Sequence, residues 1–190
     1  MDFTQDWFTQ NIPGMKSVID LIPEKKTFLE IGSFEGRSAC WFLQEVMDPD
    51  GSLWCIDNFG SSLQSSAFDF VAVKSRFEEN TNKAKKANQN VFLIEDTSLV
   101  GLSVLLFKNK KFDFIYIDGS HTSPDTLTDA CMAFPMLKTG GAMVFDDYLW
   151  EMHTGPIRSP KAAIDTFVNM FSEQCRLVLN GYQVGVVKTI

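Results

Sequence analysis

Residues 112–121 read FDFIYIDGSH, and residues 137–148 read LKTGGAMVFDDY. Each contains an apolar run that stops abruptly in acid. Asp118 ends the first run, and the Asp146-Asp147 pair ends the second. In an open parallel sheet the ligand crevice lies just beyond the carboxyl ends of the strands. If both runs are neighbouring strands, three carboxylates converge on one small volume. Close negative charges raise one another's pKa unless something compensates. A hard divalent cation such as Mg2+ compensates naturally, because it takes oxygen ligands and keeps bound waters. A single strand-end aspartate is ordinarily a loop or N-cap residue. Three of them on two strands, with His121 three positions after the first, mark a functional site.

Working outward, strands and helices alternate. Residues 27–31, 52–56, 91–94, 112–117 and 142–145 read as strands, the last entered through a turn at Gly140-Gly141. Residues 36–47 have helical spacing, with Ala39, Phe42, Leu43 and Val46 on one side. Residues 98–108 read as a helix. Pro124 opens another, with Ser123 as N-cap, running to about Leu137 with Pro135 as an internal kink or break. This alternation implies parallel strands joined by right-handed crossovers. The C-terminal end differs. After a helix over 159–171, two β-rich runs, 176–179 and 182–187, are separated around Asn180-Gly181, a strong hairpin signal. The expected fold is therefore α/β, a doubly wound, mostly parallel sheet with an antiparallel C-terminal hairpin. Residues 1–190 are expected to form one domain. Residues 2–21 read as a helix interrupted at Pro13-Gly14, part of an N-terminal helical cap over 1–25. The long link 58–90 is a candidate lid or substrate wall, and a plain surface loop fits it equally.

The chain has 190 residues, 45% of them hydrophobic, enough to bury a sizeable core. Its net charge of -7 argues against nucleic acid or an anionic membrane as partner, since both require a basic surface. The local basic cluster of Lys74, Arg76, Lys83, Lys85 and Lys86 reads as a solvated helix face. Cys40, Cys55, Cys131 and Cys175 form no CxxC pair, which points to a reduced, cytoplasmic protein without structural zinc. The first ten residues do not resemble a signal peptide, and no apolar run is long enough to span a membrane.

Residues 28–38 read FLEIGSFEGRS and form the first strand-to-helix turn. The spacing is Gly32-x-x-x-Gly36, not the G-x-G-x-x-G of a pyrophosphate site. Glu30 and Glu35 place negative charge where a phosphate would sit. Ser33 and Phe34 lie between, and backbone N–H groups at the helix start can hold a carboxylate. This suits a cationic or zwitterionic ligand such as S-adenosylmethionine, although such a turn can also serve packing alone. Asp57 ends the second strand, placed to accept from two ribose hydroxyls. Asp96-Thr97 ends the third, placed either for an adenine amino group or for helix capping.

These motifs (LEIGSFEG, CIDNF, IEDTS, YIDGSH, LKTGGAMVFDDY and the terminal hairpin) resemble the class I S-adenosylmethionine-dependent methyltransferases, from Thr27 to Val187. YIDGSH and VFDDY look like the small-molecule O-methyltransferase branch, which includes the catechol-type enzymes and relatives that tailor macrolide sugars and cephalosporins. The resemblance implies a Rossmann-like, seven-stranded sheet whose seventh strand is antiparallel. It implies that Glu30, Gly32, Ser33, Phe34, Gly36 and Ser38 surround the methionine part of the cofactor. Asp57 with Asn58 would hold the ribose, Asp96 with Thr97 would face the adenine, and Asp118 would border the cofactor. It further implies Mg2+ held by Asp118, Asp146 and Asp147, with Asp118 also in the catalytic group. The catechol-type pattern has a lysine base three residues after the first metal ligand, and this chain has His121 there. Histidine suits that task near neutral pH. His153 is a second candidate near the substrate, and Phe59, Tyr148 and Trp150 could line its walls or only pack. The implied partner is a small hydroxylated molecule, with a homodimer left open. Four other readings stay in view: a nicotinamide-dependent oxidoreductase, a metal-independent methyltransferase, a cofactor-binding domain without chemistry, and, from the resemblance, a tailoring hydroxylase, for which the sequence offers no histidine-carboxylate iron triad.

Overall fold

The computed structural model describes residues 1–60, 68–150 and 159–190. Seven strands form one sheet: β1 (Thr27–Ile31), β2 (Ser52–Ile56), β3 (Asn90–Ile94), β4 (Phe112–Ile117), β5 (Leu137–Phe145), β6 (Cys175–Asn180) and β7 (Val184–Lys188). Their spatial order is β3-β2-β1-β4-β5-β7-β6. The first five are parallel, and β7 lies antiparallel to both β5 and β6. After β1 the chain builds outward through β2 and β3, then returns to place β4 on the other side of β1. The order therefore reverses between β1 and β4, and a crevice opens at the carboxyl ends of those two strands.

Helices cover both faces. Strand residues alternate between them with the period of two that a pleated strand imposes. Phe28, Leu53, Phe114 and Val144 pack with α1 (Ile12–Ile19), α2 (Arg37–Trp41) and α3 (Phe70–Ala84). Leu29, Ile115, Met143 and Phe145 pack with α4 (Ser98–Phe107), α5 (Ser123–Ala133) and α6 (Pro160–Met170). The six residues of β4, at the centre, are all buried, as a strand covered on both faces should be. Cys40, Cys55 and Cys175 are buried thiols, while Cys131 is exposed. On α3 the basic cluster is paired: Lys74 with Glu95, Lys83 with Glu79, and Arg76 with Glu35. Among the described residues, no helix is long and apolar enough to cross a membrane.

Several local expectations give way to a specific physical cause. Pro13 does not interrupt a helix; it occupies the first turn of α1, where its missing N–H costs nothing. The segment before it is non-helical apart from a 3-10 turn at Thr9–Asn11. Helix α2 continues as a π-helical turn over Phe42–Val46. Thr122, not Ser123, caps α5, its side chain accepting from the Asp125 N–H. Ser123 Oγ instead donates to the Ser159 carbonyl at 2.5 Å. Of the two expectations for Pro135 the break holds and the kink does not: α5 stops at Ala133 and a 3-10 turn, Phe134–Met136, carries the proline.

Gly140-Gly141 does not form the turn into β5. The strand already starts at Leu137 and absorbs both glycines in a bulge, where its register with β4 shifts between Phe112 and Phe114. Gly140 sits at φ +80°, and a Cβ on Gly141 would lie 2.7 Å from the Asp113 carbonyl. The hairpin loop is three residues, not two. Gly181 N–H donates to the Gln183 carbonyl at 2.9 Å, and Tyr148 N–H donates to the Tyr182 carbonyl at 3.0 Å, so Tyr182 leaves the strand. Of the candidate lid or wall over 58–90, residues 61–67 lie outside the described residues, and its later part includes α3.

Candidate active site

The first turn is shaped by close approach of backbone to backbone. Gly32 has φ +84°, and a Cβ there would fall 2.0 Å from the Asp118 carbonyl oxygen. Gly36, at φ +79°, caps α2 in the left-handed conformation. Only glycine adopts both positions without strain. The turn thus lets the end of β1 nest against the loop after β4.

Beneath it, Glu30 is 0% exposed. Its carboxylate accepts from Ser33 Oγ and Ser38 Oγ, each at 2.5 Å, and from Cys55 Sγ at 3.6 Å. Glu30 and Ser38, two residues expected around the methionine part of a cofactor, therefore bond to each other under the loop. Burial pushes the Glu30 pKa from 4.5 up to about 7, against the lowering effect of the serine hydroxyls. The folded state thus favours the protonated acid. Stability from this group is fully present below its unfolded pKa and is lost as pH rises through about 7. The loss amounts to about 3 kcal/mol. Urea unfolding of wild type and Glu30→Gln between pH 4 and 8 should show the wild type losing that much relative to the variant; a pH-independent difference would refute it.

Asp57 reaches across from β2. Its Oδ2 accepts from Ser33 N–H at 2.7 Å and Phe34 N–H at 2.9 Å, and its Oδ1 accepts from Phe59 N–H at 2.7 Å. It fixes the first turn from the side, and Phe34 takes φ +47° there. Asn58 Oδ1 accepts from Gly60 N–H at 3.0 Å. Asp96 is exposed and accepts from Thr97 N–H at 2.7 Å, while Thr97 is the N-cap of α4.

The ends of β4 and β5 lie side by side. One ligand atom each from Asp118, His121 and Asp147 fall within 4.8 Å of one another. Asp147 Oδ2 lies 2.7 Å from His121 Nδ1. The Trp150 ring meets the His121 ring edge-on, with centroids 4.2 Å apart. Burial drives the Asp118 carboxyl well above its ordinary range, and the facing Asp146 and Asp147 charges add to the shift. Among the described residues these acids pair with no lysine or arginine; the Asp147–His121 contact is an ion pair only if the imidazole is protonated. Two of the three acids expected at the strand ends, Asp118 and Asp147, thus meet there, and His121 joins them.

Asp146 departs from that convergent set. It is 8% exposed, and its carboxylate is already engaged: Tyr116 donates its hydroxyl to Oδ2, and Asn11 Nδ2 lies 3.1 and 3.3 Å from the two oxygens. Burial raises its pKa, with Asp147 contributing. The geometry therefore puts His121 where the sequence pattern put Asp146. Asp146 becomes an anchor that ties the N-terminal segment to the end of β5.

That segment also reaches the first turn. Glu35 accepts from Thr4 N–H at 2.6 Å and Thr4 Oγ1 at 2.8 Å, with Arg76 at 3.1 Å. Arg37 pairs with Asp6 at 2.6 Å, and Trp7 lies on Phe34 with centroids 5.1 Å apart. Residues 2–11 thus strap the first turn to the acid end of β5. Tyr116 could have been read from β4, since it lies two residues before Asp118 on the same face. Asn11, Thr4 and Tyr182 carried no such signal. Among the candidate walls, Phe59 is buried against Phe77, and Tyr148 bonds Asp165 at 2.8 Å. His153 lies outside the described residues.

Comparison with known proteins gives a consistent picture. Residues 29–148 match the profile of a family described as a methyltransferase domain. The uncharacterized protein R132 of Acanthamoeba polyphaga mimivirus is 27% identical over 129 residues, covering 64% of this chain and 51% of that protein. The chain thus spans about half the length of this curated relative. Among solved structures, the O-methyltransferase TomG from Streptomyces achromogenes, involved in tomaymycin synthesis and solved with S-adenosylmethionine, is 17% identical. It superposes with a TM-score of 0.65 over 100% of this chain and 83% of its own. MycE, a methyltransferase of the mycinamycin biosynthetic pathway solved with Mg and S-adenosylhomocysteine, is 15% identical. It superposes with a TM-score of 0.61 over 99% of this chain and 51% of its own. At these identities the superpositions speak for the fold.

Proposed function

Because the chain belongs to the methyltransferase-domain family and shares the class I S-adenosylmethionine-dependent fold, we propose that it methylates a hydroxyl of a small molecule. In this reading a divalent cation, Mg2+ in the first instance, assists, and His121 is the base. The observation that carries the reading is the convergence of Asp118, His121 and Asp147 beside the Gly32 turn. TomG and MycE, which share the fold, are named as methyltransferases with S-adenosylmethionine or its product bound. Family membership sets aside the nicotinamide-dependent reading.

S-adenosylmethionine supplies a methyl group already activated on a sulfonium sulfur. The protein has to align the acceptor and take its proton. Alignment of this kind is worth about 7–11 kcal/mol of barrier. In the proposed site the Gly32–Gly36 turn borders the methionine end, held in shape by Asp57, which takes the Ser33 and Phe34 N–H groups, and by buried Glu30, which takes the Ser33 hydroxyl. Asp118 and Asp147, which pair with no lysine or arginine among the described residues, suit a cationic ligand, whereas Glu35 is already paired with Arg76. Asp147 Oδ2 engages His121 Nδ1, which leaves Nε2 as the atom to accept the acceptor's hydroxyl proton.

The donor set of two carboxylates and an imidazole fits a divalent cation, held by Asp118 and Asp147 with His121 adjacent. When bound, such a cation supplies compensation for the acid cluster and Lewis acidity toward an acceptor oxygen.

The test is transfer of labelled methyl from S-adenosylmethionine to a panel of phenolic, catecholic and sugar hydroxyl acceptors, with and without chelator. The expected result is a labelled ether whose formation stops with chelator and resumes with Mg2+. Transfer indifferent to chelator would remove the metal and keep the methyl transfer. Label passing to no hydroxyl acceptor would contradict the assignment.

A further inference from the structure

The tip of the β6–β7 hairpin lies beside the end of β5 and reaches the site from there. Tyr182 donates its hydroxyl to Asp147 Oδ1 at 2.7 Å. The other oxygen of the same carboxylate, Oδ2, lies 2.7 Å from His121 Nδ1. Asp147 is thus held from both sides, by a phenol and by an imidazole, at a backbone φ of +58° that residues with a side chain rarely adopt. Tyr182 is 39% exposed, so core burial does not explain the residue. Nor does the hairpin need its hydroxyl, because the backbone bond from Tyr148 N–H to the Tyr182 carbonyl already secures the tip. What the hydroxyl adds is control of the Asp147 carboxylate, whose terminal torsion is otherwise broad and roughly two-fold. One hydrogen bond leaves that group free to rotate; two bonds, one to each oxygen, fix its plane.

We propose that Tyr182 is a positioning residue: its hydroxyl locks the Asp147 carboxylate so that Oδ2 holds His121 through Nδ1. The imidazole is then presented in the one tautomer that leaves Nε2 open to a substrate proton. The arrangement runs in a line, Tyr182 to Asp147 to His121, and draws on the hairpin, the end of β5 and the loop after β4. Its catalytic meaning rests on the methyl-transfer reading above, but the hydrogen-bond relay itself does not. It also gives the C-terminal hairpin a task beyond completing the sheet. The strand that breaks the parallel pattern delivers, at its turn, the group that orients the base.

The chain has only two histidines, which makes the relay open to nitrogen NMR of the imidazole rings. A His153→Gln background leaves His121 as the sole signal. In that background the Nδ1-protonated signature is expected. It should give way toward the Nε2-protonated form in Tyr182→Phe, which keeps the ring and the backbone bond, and in Asp147→Asn, which alters the acceptor. Thermal unfolding of Tyr182→Phe checks that the fold is kept. Tyr182→Phe spectra identical to the parent, while Asp147→Asn shifts them, would overturn the positioning role. So would an unshifted signal in both variants, since His121 would then not depend on Asp147. S-adenosylhomocysteine titration of the same samples separates the two levels. Failure to bind would sink the methyl-transfer reading while the tautomer result still decides the role of Tyr182.

Discussion

His121→Ala is expected to slow methyl transfer by ~10²–10⁴-fold, the range a positioned general base contributes, while S-adenosylhomocysteine binds as in the wild type. The argument is geometric. His121 sits on the loop after β4, with Nδ1 committed to Asp147 at 2.7 Å and its ring braced edge-on by Trp150. The side chain is 39% exposed, so the substitution opens no core cavity and should leave folding stability nearly unchanged. None of the contacts that hold the first turn passes through it: that turn is held by Glu30, Asp57 and Glu35. The rate is measured with whichever hydroxyl acceptor takes up the label. Turnover within a few-fold of wild type would remove His121 as the base. A parallel Mg2+ titration separates two ways of losing rate. Unchanged cation affinity with slow turnover identifies a base, whereas weakened cation affinity identifies a ligand.

Gly32→Ala is expected to be as damaging, by a different route. The added Cβ would lie 2.0 Å from the Asp118 carbonyl oxygen and 2.8 Å from Gly119 Cα, both backbone atoms. No side chain can step aside, so β1 and the loop after β4 must part. The residue also holds φ +84°, which costs a non-glycine residue ~1–3 kcal/mol before any overlap is counted. Separation of the two strand ends moves Ser33 and Phe34 away from Asp57 and moves Asp118 away from Asp147. Calorimetric titration should show S-adenosylhomocysteine affinity lower by ~100-fold or more, the scale set by ångström displacements of positioning groups. Thermal unfolding should show a clear loss of stability. Wild-type affinity in Gly32→Ala would mean the turn does not shape the cofactor site.

What the sequence made legible follows from what is local. Thr27–Ile31, Ser52–Ile56 and Phe112–Ile117 could be bounded to the residue, because each is an apolar run cut off by turn residues or acid. The order of alternating elements carried the parallel sheet, and Asn180-Gly181 carried the antiparallel end. Glycines were harder. Gly140 and Gly141 look like a turn from composition, yet a bulge uses the same conformational freedom within a strand, and the choice depends on the partner strand. The N-terminal segment was misread for a related reason: its conformation is set by distant groups such as Glu35 and Asn80.

The site divides the same way. That acids gather at the strand ends was visible, but the task of each acid was not. Asp146 and Asp147 are neighbours in sequence, yet one is tied to Tyr116 and Asn11 while the other faces His121. Asn11 is 135 positions from its partner, and Tyr182 is 35 from its own. No local pattern encodes such pairs. Glu30 likewise reads as a cofactor contact from its position, whereas its burial under Ser33 and Ser38 makes it the support of the loop.

The measurement that tests the central claim most directly is calorimetric titration of S-adenosylhomocysteine into the purified protein, run with chelator and again with Mg2+. Saturable one-to-one binding that is lost in Gly32→Ala and kept in His121→Ala is the expected result. The absence of binding under both conditions would contradict the assignment of this crevice to the methyl donor.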